Sequence, residues 1–211
     1  MYLVLQSTYK QIEIGLFNSD KLISKSEIDK KEASKKLIPT LNDMLIKNNL
    51  SLKDLDFIGV NQGPSPFTTL RVVLATVNGI ALSANIKLIG VDALDAYSKY
   101  IKAKYIAHNF CILFYAFSQE YYYLIEQGNT IKTGCNKIDN ILPMLEPELE
   151  NIAIFGNGIE HCQDKLMQLK GATIYDNQEY PDLNTIAKSA LEKYSLGFYE
   201  NKVEPIYLKS I

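Results

Sequence analysis

Histidine and cysteine are scarce in this protein, and the few present form no recognisable metal or catalytic pattern. The 211 residues include two histidines, His108 and His161, and there is no CxxC, HxxxH or HExxH spacing. Because protein metal sites usually combine several such ligands, the sequence predicts no metal site and no metallopeptidase activity. No GxSxG elbow occurs, so a serine hydrolase is not indicated. We therefore predict no catalytic residues.

The sequence also lacks a strong excess of charge, a secretory leader and a disulfide pattern. Its net charge is −2 with a pI near 5.8, which gives no electrostatic footprint for independent nucleic-acid binding. The three cysteines (Cys111, Cys135, Cys162) are odd in number and fit ordinary thiols in a reducing compartment. A membrane span of about 18 apolar residues is not expected, because the most apolar segment, after Phe67, is rich in Thr, Asn and Ser. These features predict a cytoplasmic protein without membrane contact.

Hydrophobic periodicity predicts alternating strands and helices in the first half of the sequence. Three strands joined by tight turns come first, and they are typical of an antiparallel meander at one end of a mixed sheet. The predicted strands are 2–6, 11–17, 21–28, 57–60 and 87–91, and the predicted helices are 34–47, 67–85 and 92–103.

The pattern restarts with strands near residue 106. Strands are predicted at 110–117, 121–126, 152–155 and 173–175, with helices at 159–169 and 182–195. Two halves that each begin with antiparallel strands and end with α/β units suggest a duplicated architecture, although no direct sequence repeat is visible. We predict an α/β protein of two related lobes with mixed sheets, residues 1–105 and 106–211.

The most informative segment joins an apolar strand to the helix 67–85. It reads Gly63-Pro64-Ser65-Pro66-Phe67-Thr68-Thr69-Leu70-Arg71, and Arg71 is the only charged residue of the helix that follows. A nearly uncharged helix must be covered on several sides, by a thick core or by another protein.

This helix has a second stripe of small side chains beside its broad apolar face. The stripe consists of Thr69, Val72, Thr76, Gly79 and Ser83, at helical spacing. Small side chains let another backbone approach closely. Either an internal helix packs on the stripe, or the stripe forms a contact between subunits, for which a symmetric dimer is the commonest geometry.

The sequence resembles the TsaB/YeaZ family along nearly its whole length. The family signature GPGSFTGLR corresponds to the segment from Gly63 to Arg71. The family's HSE-x-LLP helix start corresponds to residues 33–39, its strand-to-helix segment to 88–96 and its terminal P-x-YLR to 205–209.

The resemblance implies an actin-like, ASKHA-type (ribonuclease H-like) fold and a specific role. TsaB/YeaZ proteins are non-catalytic partners in forming threonylcarbamoyladenosine on tRNA next to the anticodon, and their first-lobe helices dock on the metal-bearing catalytic paralogue TsaD. This implies docking through helices 34–47 and 67–85, a homodimer when the partner is absent, a TsaE-type ATPase in the complex and only indirect tRNA contact. The implied partner interface is Leu37, Ile38, Leu41, Leu45, Thr69, Val72, Thr76, Gly79 and Ser83, and the signature loop contributes Gly63, Pro64, Ser65, Pro66, Phe67 and Arg71.

Departures from the family pattern favour a protein without a cofactor. The family's Asp-Thr-Ser/Thr turn after the first strand is here Gln6-Ser7-Thr8, so the carboxylate that manages magnesium in related ATP-using proteins is replaced by a neutral amide. Pro64 and Pro66 have no N–H to offer a phosphate. An ATP-dependent small-molecule kinase or ATPase of the same fold remains the alternative function, with a peptidase as a weaker one.

Three further patterns leave a functional and a structural interpretation open. Phe155-Gly156-Asn157-Gly158 could bind an anion or be a tight turn. The run of Tyr121, Tyr122 and Tyr123 could stack bases, although alternation along a strand favours packing. Lysines 30, 31, 35 and 36 could contact tRNA or be a solvated helix start.

Overall fold

Two five-stranded mixed sheets organise the protein. The computed structural model describes residues 1–105, 107, 109–145, 152–175 and 180–209. The first sheet contains β1 (Tyr2–Ser7), β2 (Gln11–Asn18), β3 (Lys21–Asp29), β4 (Phe57–Gly63) and β5 (Lys87–Asp92). The second contains β6 (Asn109–Tyr115), β7 (Glu120–Gln127), β8 (Thr130–Lys137), β9 (Ile152–Phe155) and β10 (Ala172–Tyr175). The helices are α1 (Ala33–Lys47), α2 (Phe67–Ala84), α3 (Ala93–Tyr105), α4 (Ile138–Ile141), α5 (Gln163–Leu166) and α6 (Leu183–Ser195).

The two sheets have the same topology. Their strand orders are β3-β2-β1-β4-β5 and β8-β7-β6-β9-β10. In each, the first three strands form an antiparallel meander, and the first strand also pairs in parallel with the fourth. This repeated order confirms the predicted α/β fold of two related lobes with mixed sheets.

The two compact units divide the sequence differently from the predicted lobes. One consists of Met1–Ala96 and Asp182–Ile206, and the other of the described residues of Tyr97–Pro181 and Tyr207–Ile211. The physical reason is α6, which returns to the first sheet and packs on β1, β4 and β5. A division at residue 105 assigns α6 to the second lobe, whereas its apolar face is buried in the first unit.

Three elements of the second unit, β8, α4 and α5, differ from the sequence prediction. β8 was not predicted because it is an edge strand, largely exposed on both faces, and therefore lacks hydrophobic alternation. The predicted helix 159–169 is a short 3₁₀ turn, Ile159–His161, followed by α5. Cys162, with φ −143°, interrupts the helical conformation between them.

Helices cover both faces of the first sheet. On one face, Leu3 and Leu5 of β1 belong to a core shared with α1 and α2. On the other face, Tyr2 and Val4 pack with α6. The alternation along β1 thus separates the layer of α1 and α2 from the layer of α6.

By length and composition alone, α2 could cross a bilayer, and it is the one such helix among the described residues. Its Leu70, Val73, Leu74 and Val77 are buried in the core of the first unit. Core helices of folded domains meet the same two criteria, so this finding does not by itself indicate a membrane.

Asp92 caps α3 from a half-buried position, and this gives a first prediction. Its Oδ1 accepts hydrogen bonds from the backbone N–H groups of Leu94 (2.8 Å) and Asp95 (3.3 Å). Burial raises the pKa of the Asp92 carboxyl above its usual value, in spite of these bonds. Because the folded state then binds the proton more tightly than the unfolded state, the stability contributed by this group is full below the unfolded-state pKa and is lost as pH rises from there through the folded-state pKa.

We therefore expect Asp92→Asn to be at least as stable as the parent at pH 7, since asparagine caps equally well without the half-buried charge. Asp92→Ala should lose about 1 kcal/mol, because both N–H groups lose their acceptor. Urea unfolding at pH 7 measures both. An Asn variant as unstable as the Ala variant would show that the charge itself holds the helix start.

Candidate interaction site

The segment that follows α6 holds the start of α2 in place. The backbone N–H of Ile206 donates to the carbonyl oxygen of Gln62 (2.9 Å), and the Gln62 side chain donates to the carbonyl oxygen of Glu204 (3.0 Å). Further along α2, the Asn78 amide donates to the Val203 carbonyl and accepts from the Val203 N–H, both at 2.9 Å. These bonds fix the rotation of α2 on the sheet.

The signature loop between β4 and α2 is mostly buried. Gly63, Pro64 and Ser65 are covered, Pro66 is half-buried, and only the helix start at Phe67 is well exposed. The Gly63–Pro64 peptide is cis, and the Gly63 N–H donates to the Asn61 side chain at 2.7 Å. Because this N–H is engaged and the prolines have none, the loop is poorly suited to bind a phosphate.

On α1, the structure separates the predicted interface residues. Leu37, Leu41 and Leu45 lie in the core beneath the helix, where they are at most 5% exposed. They cannot touch a partner without unfolding the layer, so their placement at an interface is corrected. Ile38 is 61% exposed, and Ile46, two turns further on, is 62% exposed.

On α2, the predicted small stripe is only partly available. Thr69 is buried, Val72 and Thr76 are half-buried, and Gly79 and Ser83 are exposed. The two helices pack against each other, and Val72 packs on the core that they share. For the first half of the stripe, this favours the internal-helix alternative over a subunit contact.

The outward face of α2 lies roughly a quarter turn from the predicted stripe. Its exposed residues recur at helical spacing and include one charged and several apolar side chains. They are Phe67, Thr68, Arg71, Ala75, Gly79 and Leu82. A Cβ placed on Gly79 would meet no atom within 4 Å, which leaves room for a close neighbour.

Since α1 and α2 contact each other and cover the same face of the sheet, their outward residues lie on one side of the first unit. We call the set Ile38, Asn42, Ile46, Phe67, Arg71, Ala75, Gly79 and Leu82 the helix-pair surface. Four of its members are large apolar side chains, and Leu82 is 85% exposed. Several exposed large apolar side chains on one side of a unit are a common property of interaction sites.

Uncharged residues occupy the carboxyl end of β1. Gln6 and Ser7 are buried there, and the Gln6 amide donates to Glu13 at 2.6 Å. Glu13 is itself ion-paired with Lys25 at 2.7 Å. Neutral side chains at this position do not fit a magnesium–nucleotide complex, whose cation needs oxygen ligands with charge.

The glycine turn of the second unit serves packing. The Gly158 N–H donates to the Leu113 carbonyl oxygen at 2.9 Å, and the Asn157 side chain accepts from the Tyr115 N–H at 3.2 Å. A Cβ on Gly156 would lie 2.2 Å from the Leu113 oxygen. Because the turn is pressed onto β6, the tight-turn interpretation is favoured over an anion site.

The residues next to this turn are not arranged for nucleophilic or metal chemistry. Burial raises the pKa of the Cys162 thiol to about 11, so the thiol is protonated at pH 7 and a poor nucleophile. His161 stacks on Tyr115 with ring centroids 3.8 Å apart, and His108 lies outside the described residues. Within the described ranges, no three His, Cys, Asp or Glu side chains come together as a metal site.

The tyrosine run and two of the four clustered lysines, Lys30 and Lys36, are engaged within the protein. Tyr121 and Tyr123 point into the core of the second unit, and Tyr122, on the opposite face, is half-buried. Lys30 donates to the Tyr9 carbonyl, and Lys36 pairs with Glu32 at 3.0 Å. The tyrosines therefore do not form one stacking platform.

Comparison with known proteins decides the family. A family model described as TsaD, tRNA N6-adenosine threonylcarbamoyltransferase, matches residues 24–175. The chain belongs to this family. A TsaB protein, "tRNA threonylcarbamoyladenosine biosynthesis protein TsaB" of Buchnera aphidicola subsp. Schizaphis graminum, is 25% identical over 103 residues, which is 49% of each protein.

Solved structures agree on the fold. A Pseudomonas aeruginosa protein, described as uncharacterised with similarity to peptidase YEAZ, superposes with a TM-score of 0.79 at 17% identity, covering 99% of both proteins. Component A of (R)-2-hydroxyglutaryl-CoA dehydratase from Acidaminococcus fermentans superposes with a TM-score of 0.52 at 9% identity, covering 92% of this protein and 98% of that one. The predicted TsaB/YeaZ membership and actin-like ASKHA fold are confirmed.

Sequence reasoning missed four exposed members of this TsaB/YeaZ protein's helix-pair surface: Asn42, Ile46, Ala75 and Leu82. A signal for them exists, because they lie opposite or beside the buried leucines and valines at helical spacing. Once Leu70, Val73, Leu74 and Val77 are assigned to the sheet, the outward arc of α2 follows and contains Arg71, Ala75 and Leu82.

Proposed function

We propose that this protein is a non-catalytic scaffold subunit of the machinery that forms threonylcarbamoyladenosine on tRNA next to the anticodon. Its partner is a TsaD-type catalytic paralogue, which it binds and activates through the helix-pair surface. The observation that carries this proposal is the exposure of four large apolar side chains on two adjacent helices of one layer. A partner surface that covers these side chains removes them from water, and this favours binding.

The size of the exposed groups supports a protein partner. Ile38, Ile46, Phe67 and Leu82 are each at least 50% exposed. Fully burying a side chain of this kind is worth about 1.5–3 kcal/mol relative to leaving it exposed. Ala75 and Gly79 lie between the larger residues of α2 and permit a close approach of a partner helix.

The rest of the protein supports an accessory role over a catalytic one. Gln6 replaces the expected carboxylate, the glycine turn is used for packing, and the Cys162 thiol stays protonated. The chemistry of the complex is therefore assigned to the paralogue, and no cofactor is assigned to this subunit.

Other interactions follow from the same surface and from the charge. When the paralogue is absent, we expect the helix-pair surface to mediate a homodimer, since a two-fold symmetric contact is the commonest way to cover such a face. A TsaE-type ATPase is a further member of the proposed complex. With a net charge of −2, the subunit is expected to contact tRNA only through its partners.

Co-purification tests the proposal. The tagged protein, co-expressed with the TsaD-type paralogue of the same organism, should elute with it as a 1:1 complex at micromolar concentration, with its mass measured by light scattering. On its own, the protein should elute as a dimer. Two folded proteins that elute separately at this concentration would contradict the proposed function.

A further inference from the structure

Arg71 is the only charged residue of the outward face of α2, and it lies among apolar groups. Its guanidinium carbon lies 5.1 Å from the centroid of the Phe67 ring, one helical turn earlier. Arg71 is exposed, and no ion pair joins it to any residue in the described part of the protein. The aromatic ring orients the guanidinium, and no carboxylate of the described residues pairs with it. The guanidinium is therefore available to bind a carboxylate of a partner protein.

The charges of the two helices are strongly unequal. Together α1 and α2 carry four cationic side chains, Lys35, Lys36, Lys47 and Arg71, and a single carboxylate, Asp43. Within the described ranges, only Lys36 of these four is neutralised locally, by Glu32 just before α1. The whole protein has a net charge of −2, so this excess of positive charge belongs to the α1–α2 layer and not to the protein as a whole.

We propose that the helix-pair surface recognises an apolar protein face that carries a carboxylate opposite Arg71, and that Arg71 determines the choice of partner. This inference rests on the proposed function and adds the chemistry of the recognised face. The planar guanidinium can hold a carboxylate with two parallel hydrogen bonds, and stacking on Phe67 lowers the entropy lost on binding. Arginine beside an aromatic residue in an apolar patch is a typical binding hot spot.

The same charges distinguish the acidic partner from a second copy of this protein. A symmetric dimer through the helix-pair surface brings two layers of equal positive charge together, which opposes association. An acidic, apolar face has no such repulsion. Arg71 therefore gives specificity as well as affinity, because it weakens the competing self-contact.

Titration calorimetry with the TsaD-type paralogue tests this. Arg71→Ala should raise the Kd at least roughly tenfold, and Arg71→Glu should raise it further, because a repulsion replaces the attraction. Arg71→Lys should lie between wild type and Arg71→Ala, since it keeps the charge but not the planar fork. Lys53→Glu is the matched control, an exposed charge reversal outside α1 and α2 that should change the Kd by no more than about twofold.

The salt dependence of the complex and the self-association of the variants give a second measurement. Raising the salt concentration should weaken the wild-type complex more than the Arg71→Ala complex. Salt screens the charge interaction of Arg71, and the Arg71→Ala variant lacks that interaction. In the absence of the paralogue, Arg71→Glu should dimerise at least as tightly as wild type, since it reduces the like-charge repulsion. Thermal unfolding confirms that each variant is folded.

The outcomes separate this inference from the proposed function. A tight wild-type complex that is indifferent to Arg71→Ala, Arg71→Glu and salt would overturn the role of Arg71 and leave the scaffold function standing. Equal losses for Arg71→Glu and Lys53→Glu would overturn it as well, since only overall charge would then matter. Absence of any complex with wild-type protein would overturn both proposals.

Discussion

Replacing Leu82 by aspartate should weaken binding of the TsaD-type paralogue by about a hundredfold or more. Leu82 is 85% exposed and belongs to the helix-pair surface, so in the complex its side chain would be buried against the partner. Aspartate removes that apolar contact and requires a carboxylate to lose its water within an apolar interface. If the partner face is acidic, as inferred from Arg71, repulsion adds to the loss.

The fold should tolerate this change, because the Leu82 side chain makes almost no contribution to the core. The only expected cost is an unfavourable interaction with the negative end of the α2 dipole, of roughly 0.3–1 kcal/mol. Leu196→Asp is the matched control: Leu196 is 73% exposed and directly follows α6, so it places the same substitution at another helix C-terminus, outside the helix-pair surface.

Binding of the two variants is measured on surface-immobilised paralogue, and their folding is measured by circular dichroism. The surface assignment requires a large loss for Leu82→Asp and little change for Leu196→Asp, with similar melting temperatures. Equal binding by both variants would show that α2 does not contact the partner through this face. A loss confined to Leu196→Asp would move the interface to the end of α6.

The sequence predicted the elements of the first unit well, because each has a clear hydrophobic period. The broad apolar face of α2, which includes Val73 and Val77, is buried in the core. The outward face was misplaced because small side chains serve two purposes. They permit a close approach by another subunit or by a helix of the same unit, and composition does not distinguish these cases. Here the Thr69 end is buried within the first unit, and only the Gly79 end is open.

Other features depend on contacts between distant parts of the sequence. That α6 belongs to the first unit follows from its packing on β1 and β4, more than 100 residues earlier, which no local pattern reveals. The two hydrogen bonds between the Asn78 side chain and the Val203 backbone are equally non-local. β8 escaped prediction for the opposite reason, since an exposed edge strand needs no apolar face and leaves no periodic pattern.

The largest expected effect on stability comes from Gly156→Ala. Gly156 has φ +110°, and an added Cβ would lie 2.2 Å from the carbonyl oxygen of Leu113 and 2.9 Å from its carbonyl carbon. These are backbone atoms of the buried strand β6, so they cannot move aside without disturbing the sheet. Conformational strain and overpacking together should lower the free energy of unfolding by roughly 3 kcal/mol or more.

Gly128→Ala separates the two contributions. Gly128 also has a positive φ, +57°, but a Cβ there would meet nothing within 4 Å. That variant should lose only the cost of the left-handed conformation, about 1–2 kcal/mol. Urea unfolding followed by circular dichroism gives both losses, and their difference reports mainly the contact between the turn and β6. If Gly156→Ala lost no more than Gly128→Ala, the turn would not be pressed onto the strand, and its N–H groups would again be candidates for binding an anion.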